Sequence, residues 1–497
     1  MPPPGAPCYR APVRRLVGHA LFALALPTLS LGPLAAGGVA HAAEGTELAS
    51  ALEPGDPFDL FFTVDYNYDV TSAAIKREYA GLPGTSPDGA MPIVKDLVFE
   101  RNRHIITPRV QVGIFQGLQL SAAMPIVLSD GRSYSFDQRA DPCIFGNDPQ
   151  ARQPTCIDRD NSSTIRDAIL PRAGYDASDP LTGFADTSKE IFRGVTRSGT
   201  DQLQLGLAWA ALDQAHDDTK PTWVLGGEAR LSIGDIMRFN RFSPDSDAGV
   251  SRGLHEVRAY TSLSKRTTWA EPFVTFWWQT PYAIRSEDPD EPQGSLFWDV
   301  GFGQSNRLPQ QQAGTTFGFE AIPWENPVED QRLAVEVRGR LEAHFEGRGY
   351  SEMWELFAYA GDAQDNATGP LVLDRDPLVA GRQVLSHPGV TDIENYMTFA
   401  GRLGLRGRLG KYARFAASFE LAHDQQHRIS WTDAGTEFPA CSATVTVDCE
   451  SVNDEVISPG SREVNPLHSQ TIDAVGRRYL VDESTTYTFF LTGAVLF

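Results

Sequence analysis

The sequence predicts an all-β chain: a transmembrane antiparallel up-and-down β-barrel of about twelve strands, with long loops at one end. Three observations lead there. Apolar and polar residues alternate with period two over most of the chain, which gives each strand one greasy face and one wet face. The alternating runs reach the roughly 9–11 residues that a tilted strand needs to cross a bilayer. Connections alternate between short turns and long loops, the habit of membrane barrels. A soluble sandwich also gives many strands one apolar face, but its strands are usually about 5–6 residues long.

The chain has 497 residues, 43 Lys+Arg against 64 Asp+Glu, 41% hydrophobic residues and 10% aromatic. That is too apolar and aromatic for disorder, and too polar for a bundle of membrane helices. The one long apolar stretch runs from Leu16 to Leu31, broken by Pro27. Arg10, Arg14 and Arg15 precede it and Ala40-His41-Ala42 follows. This is the layout of a secretory signal peptide. Residues 1–42 are therefore expected to be a leader, 43–57 a periplasmic N-terminal segment, and 58–497 the barrel. Loss of three Arg and no acid would leave a formal charge of −24, which disfavours nucleic acid as a partner.

The strands follow in order. Over 58–70, Phe58, Leu60, Phe62, Val64, Tyr66, Tyr68 and Val70 alternate with polar residues, and only Phe61 breaks the pattern. Further runs cover 98–115, 118–130, 201–212, 222–234, 254–264, 269–280, 314–322, 332–346, 396–409, 412–426 and 486–497. The sharpest is Leu333, Val335, Val337, Leu341, Ala343 and Phe345, set against Glu336, Arg338, Arg340, Glu342 and His344. Ser295–Asn306 is a weaker run that leaves ten or fourteen strands open. An even count puts both termini on the periplasmic side. Phe58, Phe115, Trp209, Trp223, Trp269, Trp324, Tyr412 and Phe497 fall beside the short turns or the termini, as an interfacial aromatic girdle requires.

Cys8 leaves with the leader. Cys143 with Cys156, and Cys441 with Cys449, are close in sequence and lack metal-ligand spacing. Two local disulfides in an oxidising compartment are the simplest reading.

The ending Tyr487-Thr-Phe-Phe-Leu-Thr-Gly-Ala-Val-Leu-Phe497 resembles the C-terminal signal of bacterial outer-membrane β-barrels, with Tyr487, Phe489, Leu491, Val495 and Phe497 on one face. The resemblance implies insertion by the barrel assembly machinery. It also implies contact with outer-membrane lipid and lipopolysaccharide in a Gram-negative envelope. The hairpin Leu203-x-Leu-Gly-Leu-x-Trp209 through Trp223-x-Leu-Gly-Gly-Glu-Ala-Arg-Leu-Ser-Ile-Gly234 is similar to transporter-like barrels linked to phenol meta-pathway degradation. That likeness implies passage of small, often aromatic or hydrophobic, molecules.

If the apolar set faces lipid, the opposite set lines the lumen. It holds Arg101, Arg103, Arg109, Arg230, Arg258, Arg338, Arg340, Arg402, Arg406, Arg408 and Arg414. Against them stand Asp59, Asp65, Asp69, Glu228, Glu256, Glu271, Glu320, Glu336, Glu342, Glu346, Glu420 and Asp424. Such near-balance is either an ion-pair lattice that fills the barrel or two segregated walls across a constriction. Arg402, Arg406, Arg408 and Arg414 cluster on neighbouring strands, with Glu336, Glu342 and Glu346 on the preceding one.

No catalytic set, metal site or cofactor is expected. Gln304-Ser305-Asn306 lacks the His of a lipase pattern, and His423, Asp424 and His427 sit at a wet strand end. On a strand the two His are about 13 Å apart, too far to share an ion. The acidic stretches Glu287–Glu291 and Leu373–Asp376 lack calcium-loop spacing. Ser351–Gly361 reads as a short amphipathic helix, either a cap over the mouth or an inward-folded constriction. The expected function is a passive outer-membrane channel for small solutes; a plugged barrel with working outer loops is the rival.

Overall fold

The computed structural model describes residues 43, 45–53, 56–78, 93–137, 157–283, 309–374, 381, 384–432 and 468–497. Both expected disulfides, Ser295–Asn306 and Glu287–Glu291 lie outside these residues.

Twelve strands close into one antiparallel ring, in sequence order. They are β1 (Leu60–Glu78), β2 (Ile93–Phe115), β3 (Leu118–Ala123, continued by Ile126–Ser135) and β4 (Gln202–Leu212). Then come β5 (Thr222–Ser232), β6 (Leu254–Ser264), β7 (Ala270–Ala283) and β8 (Gln312–Asn326). The ring ends with β9 (Gln331–His344), β10 (Tyr396–Leu409), β11 (Ala413–Asp424) and β12 (Tyr479–Leu496). Pairing of β12 with β1, from Tyr479↔Arg77 to Leu496↔Phe61, closes the ring and leaves no free edge along it.

The burial pattern is inverted relative to a soluble protein. Leu403 is 59% exposed and Leu405 52%, whereas Glu271 and Glu320 are 1% exposed and Glu336 2%. A charged interior and an apolar exterior are what period-two strands give when lipid, not a second sheet, covers the greasy face. The eight aromatics expected at one rim are all exposed, and all sit beside the short turns or the chain ends.

Several strands run longer than the sequence suggested. β1 has 19 residues, β2 has 23 and β12 has 18, because each continues past the barrel wall into a cap built from the long loops. The cap core joins Ala73, Ile75, Leu97, Phe99 and Tyr134 from the strand extensions to Tyr175, Phe192, Leu356, Phe357 and Tyr479. At its centre is a helix, Trp354–Ala360, lying inside the expected Ser351–Gly361 segment. The expected amphipathicity is corrected here: every residue of this helix is buried, because the cap covers it on all sides. Glu355, on that helix, is held through one oxygen by Arg197, whose Nη2 and Nε donate to Glu355 Oε1 at 2.9 and 3.0 Å, with both side chains 1% exposed. The same guanidinium donates to the carbonyls of Asp247, Gly249 and Arg238, so one cation ties three loop positions together.

Candidate functional site: the lumen and its short-turn mouth

Period-two geometry sends Arg402, Arg406 and Arg408 of β10 and Arg414 of β11 into the lumen, where they sit side by side through Arg408↔Arg414 and Arg406↔Ala416 pairing. Glu336, Arg338, Arg340 and Glu342 of β9 share that interior. Their partners differ from the two-wall expectation. Arg338 Nε lies 2.8 Å from Glu336 Oε1, and Arg340 pairs with Glu342 and, at 2.8 Å, with Glu420. The carboxylates expected to serve the arginine stripe are thus bound within their own strand. Glu346 is a correction: it falls beyond the end of β9, exposed, with its backbone N–H donating to Asn395.

The arginine stripe is served from elsewhere. Arg406 binds Glu320 of β8, and Arg332 Nη2 lies 3.0 Å from the other oxygen of the same carboxylate. Arg406 also lies 3.4 Å from Glu47, and Arg414 donates to the second oxygen of Glu47. Arg402 donates to Ser418 at 2.7 Å and stacks 4.0 Å from the centre of the Phe490 ring. Arg258 over Trp277 and Arg338 over Phe273 repeat that stacking inside the lumen. Flat aromatic faces therefore accompany the charges at several places around the lumen.

Glu47 belongs to the segment before β1, which folds into the barrel and forms a strap across the short-turn mouth. Ala43 N–H donates to Glu271 of β7 at 2.6 Å, and Thr46 Oγ1 lies 2.8 Å from Ser264 Oγ of β6. Three strands further round the ring from β6, Ala49 N–H donates to Gln119 of β3 at 2.7 Å. Ser50 accepts through its hydroxyl from Gly117 N–H at 2.9 Å and donates its own N–H to Asp59 at 3.0 Å. The approach to β2 is so close that a Cβ on Gly113 would lie 2.1 Å from the Ser50 carbonyl oxygen. Phe61, the one residue that broke the alternation of β1, turns into the lumen and packs with Ala49, Ala494 and Leu496. Beside the strap, a cavity of about 30 Å³ among Glu47, Arg332, Arg406, Arg408 and Arg414 has room for about one water.

Glu47 and its binding role are not readable from sequence; the segment has no period. The single signal was Phe61, an apolar side chain on a polar face. On the outer wall, Val110, Val112, Leu120, Leu205, Leu207 and Trp209 surround the small residues Gly206, Gly226 and Gly227 in a depression of about 1030 Å³. It lies on the β4–β5 hairpin singled out in the sequence.

His423, Asp424 and His427 do not converge. His423 is exposed, Asp424 accepts from Thr398 and Ser484, and His427 stacks on Tyr396 with ring centres 3.9 Å apart. Among the described residues no cluster of His, Cys, Asp or Glu is arranged to hold a metal ion.

No protein-family model and no curated protein matches the chain. Among solved structures, an outer-membrane channel from Pseudomonas putida F1 aligns with 90% of this chain and 100% of its own, at 10% identity and a TM-score of 0.36. A FadL homologue of Pseudomonas aeruginosa aligns with 93% of this chain and 99% of its own, at 9% identity and a TM-score of 0.30. A deltaS2 mutant of the TodX monoaromatic hydrocarbon channel covers 88% and 90%, at 7% identity and a TM-score of 0.29.

Proposed function

We propose that this chain is a channel of the Gram-negative outer membrane for small aromatic or hydrophobic solutes, exported by a cleaved leader and closed at its periplasmic mouth by residues 43–50. The observation that carries the reading is the strap itself. A barrel that only needed filling would pack its lumen with its own wall residues. Here a separate piece of chain is held by one carboxylate on two arginines and a handful of hydrogen bonds, which is a releasable closure. The apolar exterior and aromatic rim support membrane embedding, with the short turns facing the periplasm. The arginine–aromatic stacks inside the lumen support flat, apolar cargo over sugars.

The buried cap favours a second reading, a plugged barrel whose outer loops do the work. Liposome swelling decides between the two. Removal of residues 43–50 should raise uptake of small aromatic solutes several-fold over the intact chain. A strap-less barrel that passes neither ions nor small solutes would leave the plugged reading standing.

A further inference from the structure

Ala43 is wholly buried, and its nitrogen lies 2.6 Å from Glu271 Oε1. Its carbonyl is fixed as well, accepting from Thr46 N–H at 2.8 Å and Glu47 N–H at 2.9 Å. Glu271 is 1% exposed. Its Oε1 also accepts from Ser264 Oγ at 2.8 Å, whereas its Oε2 accepts no hydrogen bond among the described residues and lies 3.7 Å from Arg332 Nη2. A buried carboxylate with one oxygen unserved is costly, and a backbone amide brings a single N–H. The sequence independently places the leader's cleavage site at the bond just before Ala43.

From this coincidence we infer that Glu271 is a binding site for the chain's own processed N-terminal ammonium. Hydrolysis of the Ala42–Ala43 bond by a leader-removing peptidase consumes one water, leaves a carboxylate on Ala42 and puts an ammonium on Ala43. That group carries three donors and a full positive charge where the amide carried one neutral donor. With an ordinary pKa of about 8 it is mostly protonated at neutral pH. It serves Oε1 and has protons left for Oε2, so the strap seats fully only after the leader is gone. Leader removal becomes a precondition of mouth closure.

The inference rests on the strap being the closure of the lumen, and its test reads seating directly, not conductance. In the full chain purified from outer membranes, Ala49→Cys puts a thiol at a position wholly buried in the seated strap without removing a hydrogen-bonding side chain. Its maleimide labelling, measured above that of the parent protein, reports unseating. Mass spectrometry of the mature protein should find Ala43 first; any other first residue overturns the inference. Glu271→Gln should speed labelling about tenfold, the loss expected for one charge-assisted hydrogen bond. A glycine inserted between Ala42 and Ala43 leaves the barrel untouched but moves the ammonium one residue away, and should speed labelling as much. The two changes together should label no faster than either alone. Labelling unchanged by the insertion would show that Glu271 holds only a backbone amide and would overturn the assignment. Failure of the channel reading shows separately, as absent conductance in the strap-deleted barrel.

Discussion

Glu47 and Arg406 stand 359 positions apart in the chain and meet at 3.4 Å inside the barrel. Arg414 reaches the other oxygen of the same carboxylate, so one acidic side chain is clamped by two strands of the wall. Replacing Glu47 by Ala removes the strap's hold on this wall; Arg406 keeps Glu320, whereas Arg414 loses the Glu47 carboxylate. The expected result is a larger single-channel conductance with a shift toward anions, because the mouth loses one negative charge beside Arg414 and the local potential rises. Arg406→Ala with Arg414→Ala should also raise conductance but shift selectivity toward cations. Equal selectivity in the two variants would show that these arginines do not line the conducting path.

A second prediction separates the strap from the wall. Gly113→Ala adds a methyl group that would lie 2.1 Å from the Ser50 carbonyl, a contact no side-chain rotation relieves. β2 itself can accept alanine: Gly113 pairs with Gln119 just before a break in register toward Phe115, and its φ is not in the left-handed region that only glycine favours. The barrel should fold and keep its heat-modifiable mobility on gels, while the strap is displaced and conductance rises. A variant that conducts like the parent would mean the strap bends away at little cost.

Most of the ring was legible in the sequence. In β9 nearly every inward position is ionisable and nearly every outward one is apolar, so face and register follow from period two alone. The extensions of β1 and β2 were not legible, and the reason is physical. Ala73, Ala74 and Ile75, like Leu97, Val98 and Phe99, are buried on both faces against the cap, so alternation gives way to a continuous apolar run. The arginine stripe was readable as a cluster, but its partners were not. Glu320 is two strands away around the wall, and Glu47 lies on a segment without a pattern. Phe61 alone marked that something apolar enters the mouth.

The cap has its own weak point. Arg197 and Glu355 are each 1% exposed, and the guanidinium also holds three loop carbonyls. Glu355→Ala would strand a buried cation, a change that typically costs about 3–5 kcal/mol. Because the pair sits in the loops and not in the wall, the barrel should stay closed while the cap loosens. Limited proteolysis of intact cells should cut the loop around 235–253 in the variant and spare it in the parent. Equal resistance would show that the helix Trp354–Ala360 is held by its apolar contacts alone.

The last prediction concerns pH. Asp473, in the loop before β12, accepts from Thr432 N–H at 3.0 Å and Ser469 N–H at 2.9 Å, tying two loop strands together. Burial outweighs those hydrogen bonds and pushes its carboxyl up to about 7, with Asp392 raising it further and Arg348 opposing. His387, which faces the same small cavity, stays neutral, held down to about 3 by burial, and its Nδ1 accepts from Gly389 N–H. The sign follows from linkage. An acid whose folded pKa is raised stabilises the fold fully below its unfolded value near 3.8, and that contribution is lost as pH rises through about 7. Protection of the Thr432 and Ser469 amides from hydrogen exchange, corrected for the intrinsic rate, should therefore fall between pH 5 and pH 8 (on the order of the shift above). Asp473→Asn should lower protection at both values, since its NH₂ cannot accept from the second N–H, but should abolish the difference between them. A pH dependence that survives in the variant would show that Asp473 is not the titrating group.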